Sequence, residues 1–318
     1  EPASMSDFSS WGVPGSLELK PEITAPGGSI YSVNGAHKGD GAHESHDIYE
    51  TMSGTSMASP QVAGMAAVLG QYYRENIADK VTLTQRQFIN SVLMSTATPV
   101  IDYTSDNQGY YPVMQQGAGL ANVGNAVNTH SYVLVKDNLS DTASDGKVKF
   151  ELGDDAERTG TYEAAFSITN FSDAAETYDL SADMFTQDMY NDKKYTYLDT
   201  NTTPLEATTT FTVGDTTVDK VTVKAGDTVE VTVNIVLSDA QKAKLNKDYP
   251  VGAYVEGFVF AKPENTSDDA ALPAHSIPVL GFYGNWSDAT MLDTSTLVEW
   301  YYGDKRSRHT GVAQTNYS

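Results

Sequence analysis

The stretch SGTSMASPQVAGMAAVL, residues 53–69, sets Ser56 behind a Gly-Thr pair and ahead of a run of small and apolar residues. A serine hydroxyl becomes a nucleophile when a base removes its proton and hydrogen-bond donors wait for the oxyanion that forms. The first turn of a helix supplies the second need. Its backbone N–H groups have no helical acceptor, and the positive end of the helix dipole favours developing negative charge. Gly54 permits a sharp approach of the chain, and Ala58 and Ser59 let neighbouring backbone come close. Pro60 is expected in the first turn, where its missing N–H would break no helical bond. The plain alternative is that Thr55 or Ser56 only caps the helix.

A base for Ser56 is harder to find. NGAHKGDGAHESHDIYE gathers His37, His43 and His46 with Asp40 and Asp47, but Gly39 and Gly41 lie among them. A general base must be held within hydrogen-bond reach and oriented by a third group, which a glycine-rich loop does poorly. These histidines also lack the i, i+4 spacing of a helical zinc pair, so the stretch reads as a solvated loop. His130, His275 and His309 stand alone and read as surface or packing histidines. The carboxylates of DMFTQDMYNDKK, Asp183, Asp188 and Asp192, are hard oxygen ligands of the kind calcium takes. Their spacing matches no EF-hand, and an acidic loop is the preferred reading.

The elements that must position Ser56 form one of two textures. Before residue 130, apolar residues recur at helical spacing in MASPQVAGMAAVLGQYYREN and in TLTQRQFINSVLMSTA, where Thr82 or Thr84 can cap the second helix. EITA and SIYSV read as short strands between and before them, an α/β pattern. After residue 130 the period falls to two: in DKVTVKAGDTVEVTVNIVL, Val221, Val223, Val229, Val231, Val233 and Ile235 take one face. KVKFEL, YEAAFSITN, ETYDLSAD, ATTTFTV, AYVEGFVFA and SIPVLGFYG continue this texture, and about seven short strands suggest a β-sandwich. SDAQKAKLNKDYP interrupts them as a short helix with Ser238 as its cap. From Thr294 onward no period is legible, and the segment 294–318 reads as the start of something further.

Composition narrows the function. With 318 residues, 40% of them hydrophobic, the chain can bury more than one core, and two domains are expected. Against 20 basic residues stand 42 acidic ones, a formal charge of -22 that repels phosphate backbones and anionic lipid. Nucleic acid and membrane are therefore poor partners. No cysteine is present, so neither a disulfide framework nor a thiolate zinc site can form. EPASMSDFSSWG has neither an initiator Met nor the layout of a signal peptide and reads as a cut in mid-chain.

GTSMASPQVAG, eleven consecutive residues, resembles the nucleophile motif of subtilisin-like serine proteases. FSSWG at 8–12 and LKPEITAPGGSI at 19–30 resemble the two segments that precede the serine in that family, and QQGAGLANVGNAV at 115–127 resembles the close of its catalytic domain. The region after residue 130, ending in VLGFYGNWSDATMLD, is similar to the fibronectin-III-like domain of the cell-envelope proteinases, the lactocepin and C5a-peptidase branch. The resemblance implies a fold in two parts. Residues 1–130 would be the C-terminal part of an α/β subtilisin-like catalytic domain, residues 131–293 an all-β fibronectin-III-like sandwich, and 294–318 a truncated further segment.

It also implies roles. Ser56 would be the nucleophile, with its own N–H as one oxyanion donor; Phe8, Ser53, Gly54 and Thr55 would contact substrate. The family's aspartate, histidine and oxyanion asparagine motifs match no stretch here, so an upstream segment of the same precursor is expected to supply them. The chain alone should then be inactive, and its first 130 residues should not fold stably without that segment. No cofactor enters the chemistry, calcium would be structural, the substrate would be a protein or peptide, and the setting extracellular or bacterial cell-surface. The competing expectation is a non-catalytic surface-binding module derived from such a protease.

Overall fold

The computed structural model describes residues 2–12, 16–33, 49–136, 145–191, 196–264 and 272–288. The loop histidines His37, His43 and His46, with Asp40 and Asp47, lie outside the described residues, as do Asp192, His309 and the segment 294–318. In the first texture, strands β1 (Ile30–Val33) and β2 (Tyr49–Met52) pair antiparallel, Ile30 opposite Met52 and Val33 opposite Tyr49. EITA does not become a strand of a sheet. Thr24 makes a single bridge to Leu120, its N–H donating to the Gly119 carbonyl while the Ala121 N–H donates back to its own carbonyl.

Four helices follow: α1 (Thr55–Tyr72), which runs on into a π-helical turn at Tyr73–Ile77, α2 (Gln85–Ser95), α3 (Val113–Gln116) and α4 (Val123–Asn128). Thr84, not Thr82, caps α2. Its hydroxyl accepts from the Gln87 N–H, and the Gln87 side chain accepts from the Thr84 N–H, so two otherwise orphaned donors are satisfied reciprocally. Leu69 of α1, Phe88 and Val92 of α2 and Ala126 of α4 form the centre of a small core beneath these helices.

The second texture is a sandwich of two sheets. Its strands are β3 (Ser131–Lys136), β4 (Phe150–Asp155), β5 (Thr161–Asn170), β6 (Glu176–Asn191), β7 (Thr196–Pro204), β8 (Ala207–Val213), β9 (Thr216–Val218), β10 (Lys220–Val223), β11 (Thr228–Leu237), β12 (Ala253–Pro263) and β13 (His275–Tyr283). One sheet runs β3-β5-β11-β8-β9; the other runs β10-β6-β12-β13-β4, with β7 also paired to β6. Every named pairing is antiparallel except β13 with β4. The strands outnumber the seven or so expected because β3, β7 and β9 carry little alternation. TYLDTNTTP is mostly polar, and its place in the sheet comes from backbone pairing with β6. DMFTQDMYN likewise belongs to the long strand β6 and not to a loop.

The alternation that was legible sets the core. Val231 and Val233 are fully buried and Ile235 and Leu237 nearly so, and Val221 and Val223 meet them from the opposite sheet, whereas Val229 is only partly covered. Helix α5 (Asp239–Asp248) starts where expected, the Ser238 hydroxyl accepting from the Gln241 N–H.

The two textures share a core. Leu17, Leu19 and Val113 from the first pack with Phe185, Phe258, Leu280 and Phe282 of the sandwich, and the Tyr110 ring lies 5.2 Å from that of Phe258 and 5.7 Å from that of Phe185. Polar groups complete the junction. Leu19, fully buried in an extended segment, gives its N–H to Glu151 Oε1 at 2.7 Å and its carbonyl to Lys149 Nζ at 3.2 Å, and Lys149 and Glu151 pair at 2.6 Å. His275 is buried with Ser95 Oγ at 3.0 Å on one ring nitrogen and Ser131 Oγ at 2.7 Å on the other; burial lowers its pKa to about 4. It is the packing histidine expected at that position.

Glu256 is the third such group. Fully buried on β12, it accepts from Gln187 Nε2 and from the backbone N–H groups of Val113 and Met114 at the start of α3. Burial raises its pKa from 4.5 to about 7, with those donors pulling the other way. Between these two values the folded state holds a proton that the unfolded chain has released, so this group makes stability fall as pH rises through the window. Glu256→Gln keeps an acceptor and cannot ionise; urea midpoints measured from pH 4.5 to 7.5 are expected to fall less with pH in this variant than in the parent. Equal slopes would show that the carboxyl does not titrate in the folded state.

Candidate active site

The site grows from the start of α1. Gly54 is the N-cap residue at φ 150° and ψ 163°, a conformation open to glycine, and no side chain caps the helix. The capping role considered for Thr55 or Ser56 is thus not what the structure shows: both lie inside the helix, on its first turn, and both are exposed, while Pro60 lies past the first turn, where the N–H it lacks would have met the Ser56 carbonyl. Ser56 therefore presents its hydroxyl and an early helical N–H at the positive end of an 18-residue dipole.

Three hydrogen bonds tie this turn to residues 26–29. The Gly54 N–H donates to the Gly27 carbonyl at 2.9 Å, the Ser29 N–H donates to Ser53 Oγ at 2.8 Å, and Gln61 Nε2 donates to the Pro26 carbonyl at 2.7 Å. The approach at Gly27 is close. A Cβ there would lie 2.8 Å from the Gly54 carbonyl oxygen and 3.3 Å from Ala58 Cβ, so no larger residue fits without moving the turn. Gly27, Ser29 and Gln61 were not legible as site residues; the Pro-Gly-Gly run at 26–28 marks a bend but not its partner.

Phe8, 45% exposed, and Thr55 line one cleft of about 580 Å³, together with Met5, Pro26, Gly27 and Ala58. Ser53 and Gly54 lie on the neighbouring turn, so the structure brings Phe8, Ser53, Gly54, Thr55 and Ser56 to one end of α1. Among the described residues no histidine reaches Ser56. His275 is engaged by Ser95 and Ser131, and His130 Nδ1 lies 2.7 Å from Glu176 Oε1. Nor do three His, Cys, Asp or Glu side chains gather into a metal-binding group among the described residues. Asp183 accepts from Tyr110 Oη at 3.0 Å, and Asp188 accepts from the Thr203 hydroxyl.

One face of α1 is unusual. Ser56, Ser59, Pro60, Ala63, Gly64, Ala67 and Val68 recur at three- and four-residue spacing, and all are exposed, Val68 by 53%. A surface helix ordinarily turns charged or long polar residues to water; this stripe has none.

The fold is a helical segment with a two-sheet sandwich behind it. Residues 1–143 match the subtilase family and residues 151–280 match the Fn3-like domain; the chain is a subtilase-family segment followed by an Fn3-like domain. It is similar to the PI-type proteinase of Lactococcus lactis subsp. cremoris, 30% identical over 301 residues, which are 91% of this chain and 14% of that protein. The PII-type proteinase of Lacticaseibacillus paracasei is 30% identical over 298 residues, again 91% of this chain and 14% of the relative. C5a peptidase of Streptococcus pyogenes serotype M6 is 30% identical over 289 residues, 91% of this chain and 21% of that protein. The chain thus spans about a fifth or less of the length of these relatives.

Proposed function

We propose that this chain carries the nucleophile and part of the substrate cleft of a bacterial extracellular or cell-surface serine endopeptidase, completed by an upstream segment that brings an aspartate and a histidine. The observation that carries the reading is the exposed position of Ser56 on the first turn of an uncapped helix, next in sequence to Thr55, which lines the cleft with Phe8. The exposed stripe of α1 supports the second part. A helix that is apolar or small on nearly every side belongs in an interior, and the stripe that begins at Ser56 is where a docked segment would place a base beside the hydroxyl.

The chemistry uses side-chain and backbone groups alone. Ser56 Oγ attacks the peptide carbonyl carbon as its proton passes to the histidine of the upstream segment. The carbonyl oxygen takes the negative charge and meets the Ser56 N–H, which the helix leaves free, and the dipole of α1 favours that charge. Collapse breaks the C–N bond, the amine leaves with the proton from the imidazolium, and water cleaves the acyl-enzyme by the reverse exchange. Neither step needs a metal or cofactor.

A fluorophosphonate probe tests this directly. Mass spectrometry is expected to find the adduct on Ser56 when the upstream segment is present and none on the 318-residue chain alone. An assembled protein that takes no label would overturn the enzyme reading in favour of a binding module derived from a protease.

A further inference from the structure

The first turn of α1 has none of the usual devices that hold a helix start. Its N-cap is a glycine with no side-chain hydrogen bond, and no acidic residue occupies the first turn. Left to itself such a turn frays, and the N–H and hydroxyl of Ser56 would sample many directions. Something outside the helix must hold it.

We infer that Gln61 is a positioning residue for Ser56, acting through its hydrogen bond to the Pro26 carbonyl. This rests on the reading of Ser56 as nucleophile. The bonds at Ser53 and Gly54 fix the chain before Ser56, and Gln61, five residues after it and on a different face of the helix, fixes the chain beyond. All three run to one short segment, 26–29, so the serine lies inside a bracket closed at both ends. The segment is itself anchored just upstream. Thr24 donates its N–H to Gly119 and its hydroxyl to the Gln116 carbonyl at 2.8 Å, and its carbonyl accepts from Ala121. Proline at 26 fixes one of the two backbone dihedrals of the residue whose carbonyl Gln61 meets.

The hydrogen bond spans 35 positions in the sequence and lies at the surface. Its loss should therefore disturb the direction of the first turn far more than the stability of the fold. Removing a buried group would do the reverse.

The test uses the protein assembled with its upstream segment. Gln61→Leu, which is apolar, one atom shorter and without a donor, is expected to slow fluorophosphonate labelling of Ser56 and kcat by about tenfold, below the roughly 10²-fold cost of a 1 Å misplacement, with KM unchanged. Gln61→His, which retains a ring N–H donor, is expected to restore most of the rate. Gln61→Glu, of the same reach but with no donor when ionised, should behave as Gln61→Leu, and it carries the test if the leucine variant does not fold. In the assembled protein, amide exchange over residues 54–57 should quicken in both donor-less variants. Labelling of Gln61→Leu or Gln61→Glu at the parent rate overturns the inference and leaves the nucleophile assignment standing. A parent protein that takes no label overturns the assignment on which it rests.

Discussion

Ser56→Ala is expected to lower kcat of the assembled peptidase by about 10⁶-fold, the scale of nucleophile loss in serine peptidases with a triad. The loss should be confined to the chemistry. Ser56 is exposed and its side chain makes no hydrogen bond to another of the described residues, so the urea midpoint of the variant should match that of the parent. KM, or the dissociation constant of a substrate-like peptide, should change little, because the hydroxyl acts on the carbonyl and the cleft beside Phe8 remains. Residual hydrolysis above the uncatalysed rate would report oxyanion stabilisation by the turn alone, on the order of 10³ to 10⁴. Steady-state kinetics with a peptide ester and a protein substrate would read all of these. Unchanged proteolysis in Ser56→Ala would remove this residue from the mechanism.

Lys149→Met is expected to destabilise the chain by about 3–5 kcal/mol, the cost of removing one partner of a buried ion pair. Lys149 and Glu151 are 2% and 1% exposed and pair at 2.6 Å. Attraction between such charges roughly offsets their desolvation, so the pair as a whole contributes little; the large effect comes from leaving Glu151 without its cation. Here there is a second task. The pair supplies the polar partners of Leu19, whose buried N–H and carbonyl meet these side chains. The double replacement Lys149→Met with Glu151→Leu should therefore recover only part of the loss, since each unmet backbone group costs about 1–3 kcal/mol. Urea titrations of the parent, the single and the double variant distinguish these outcomes. Full recovery in the double variant would show that Leu19 finds other partners.

Much of the sandwich was legible because its signal is local and repetitive. The valines of β10 and β11 announce a buried face two residues at a time, and Ser238 before a polar helix is a cap wherever it occurs. Strands β7 and β9 offer mostly polar residues to a backbone ladder, and β3, SYVLVK, is a short apolar run without alternation, so in none of the three does a two-residue period announce a strand; pairing decides them. Thr84 rather than Thr82 caps α2 because Gln87 stands three residues after it to complete the exchange, a pattern readable in TQRQ once sought. The acidic run at 183–191 reads as a loop and is a strand for the converse reason. Its carboxylates suggested solvent, yet Tyr110 and Thr203 take up two of them along a strand.

The residue order by itself determined the candidacy of Ser56, the subtilase-type context and the change from helical to two-residue period after residue 130. Each is a property of adjacent residues, fixed by short-range sterics and side-chain chemistry. Only the tertiary structure decided that Gly54 and not Thr55 begins α1, that Pro26, Gly27 and Ser29 close on the turn around Ser56, and that Lys149, Glu151 and Glu256 bind the sandwich to the peptidase segment. These contacts join residues from 24 to 143 positions apart. A hydrogen bond or a buried charge pair depends on what meets it in space, and no local pattern records the partner.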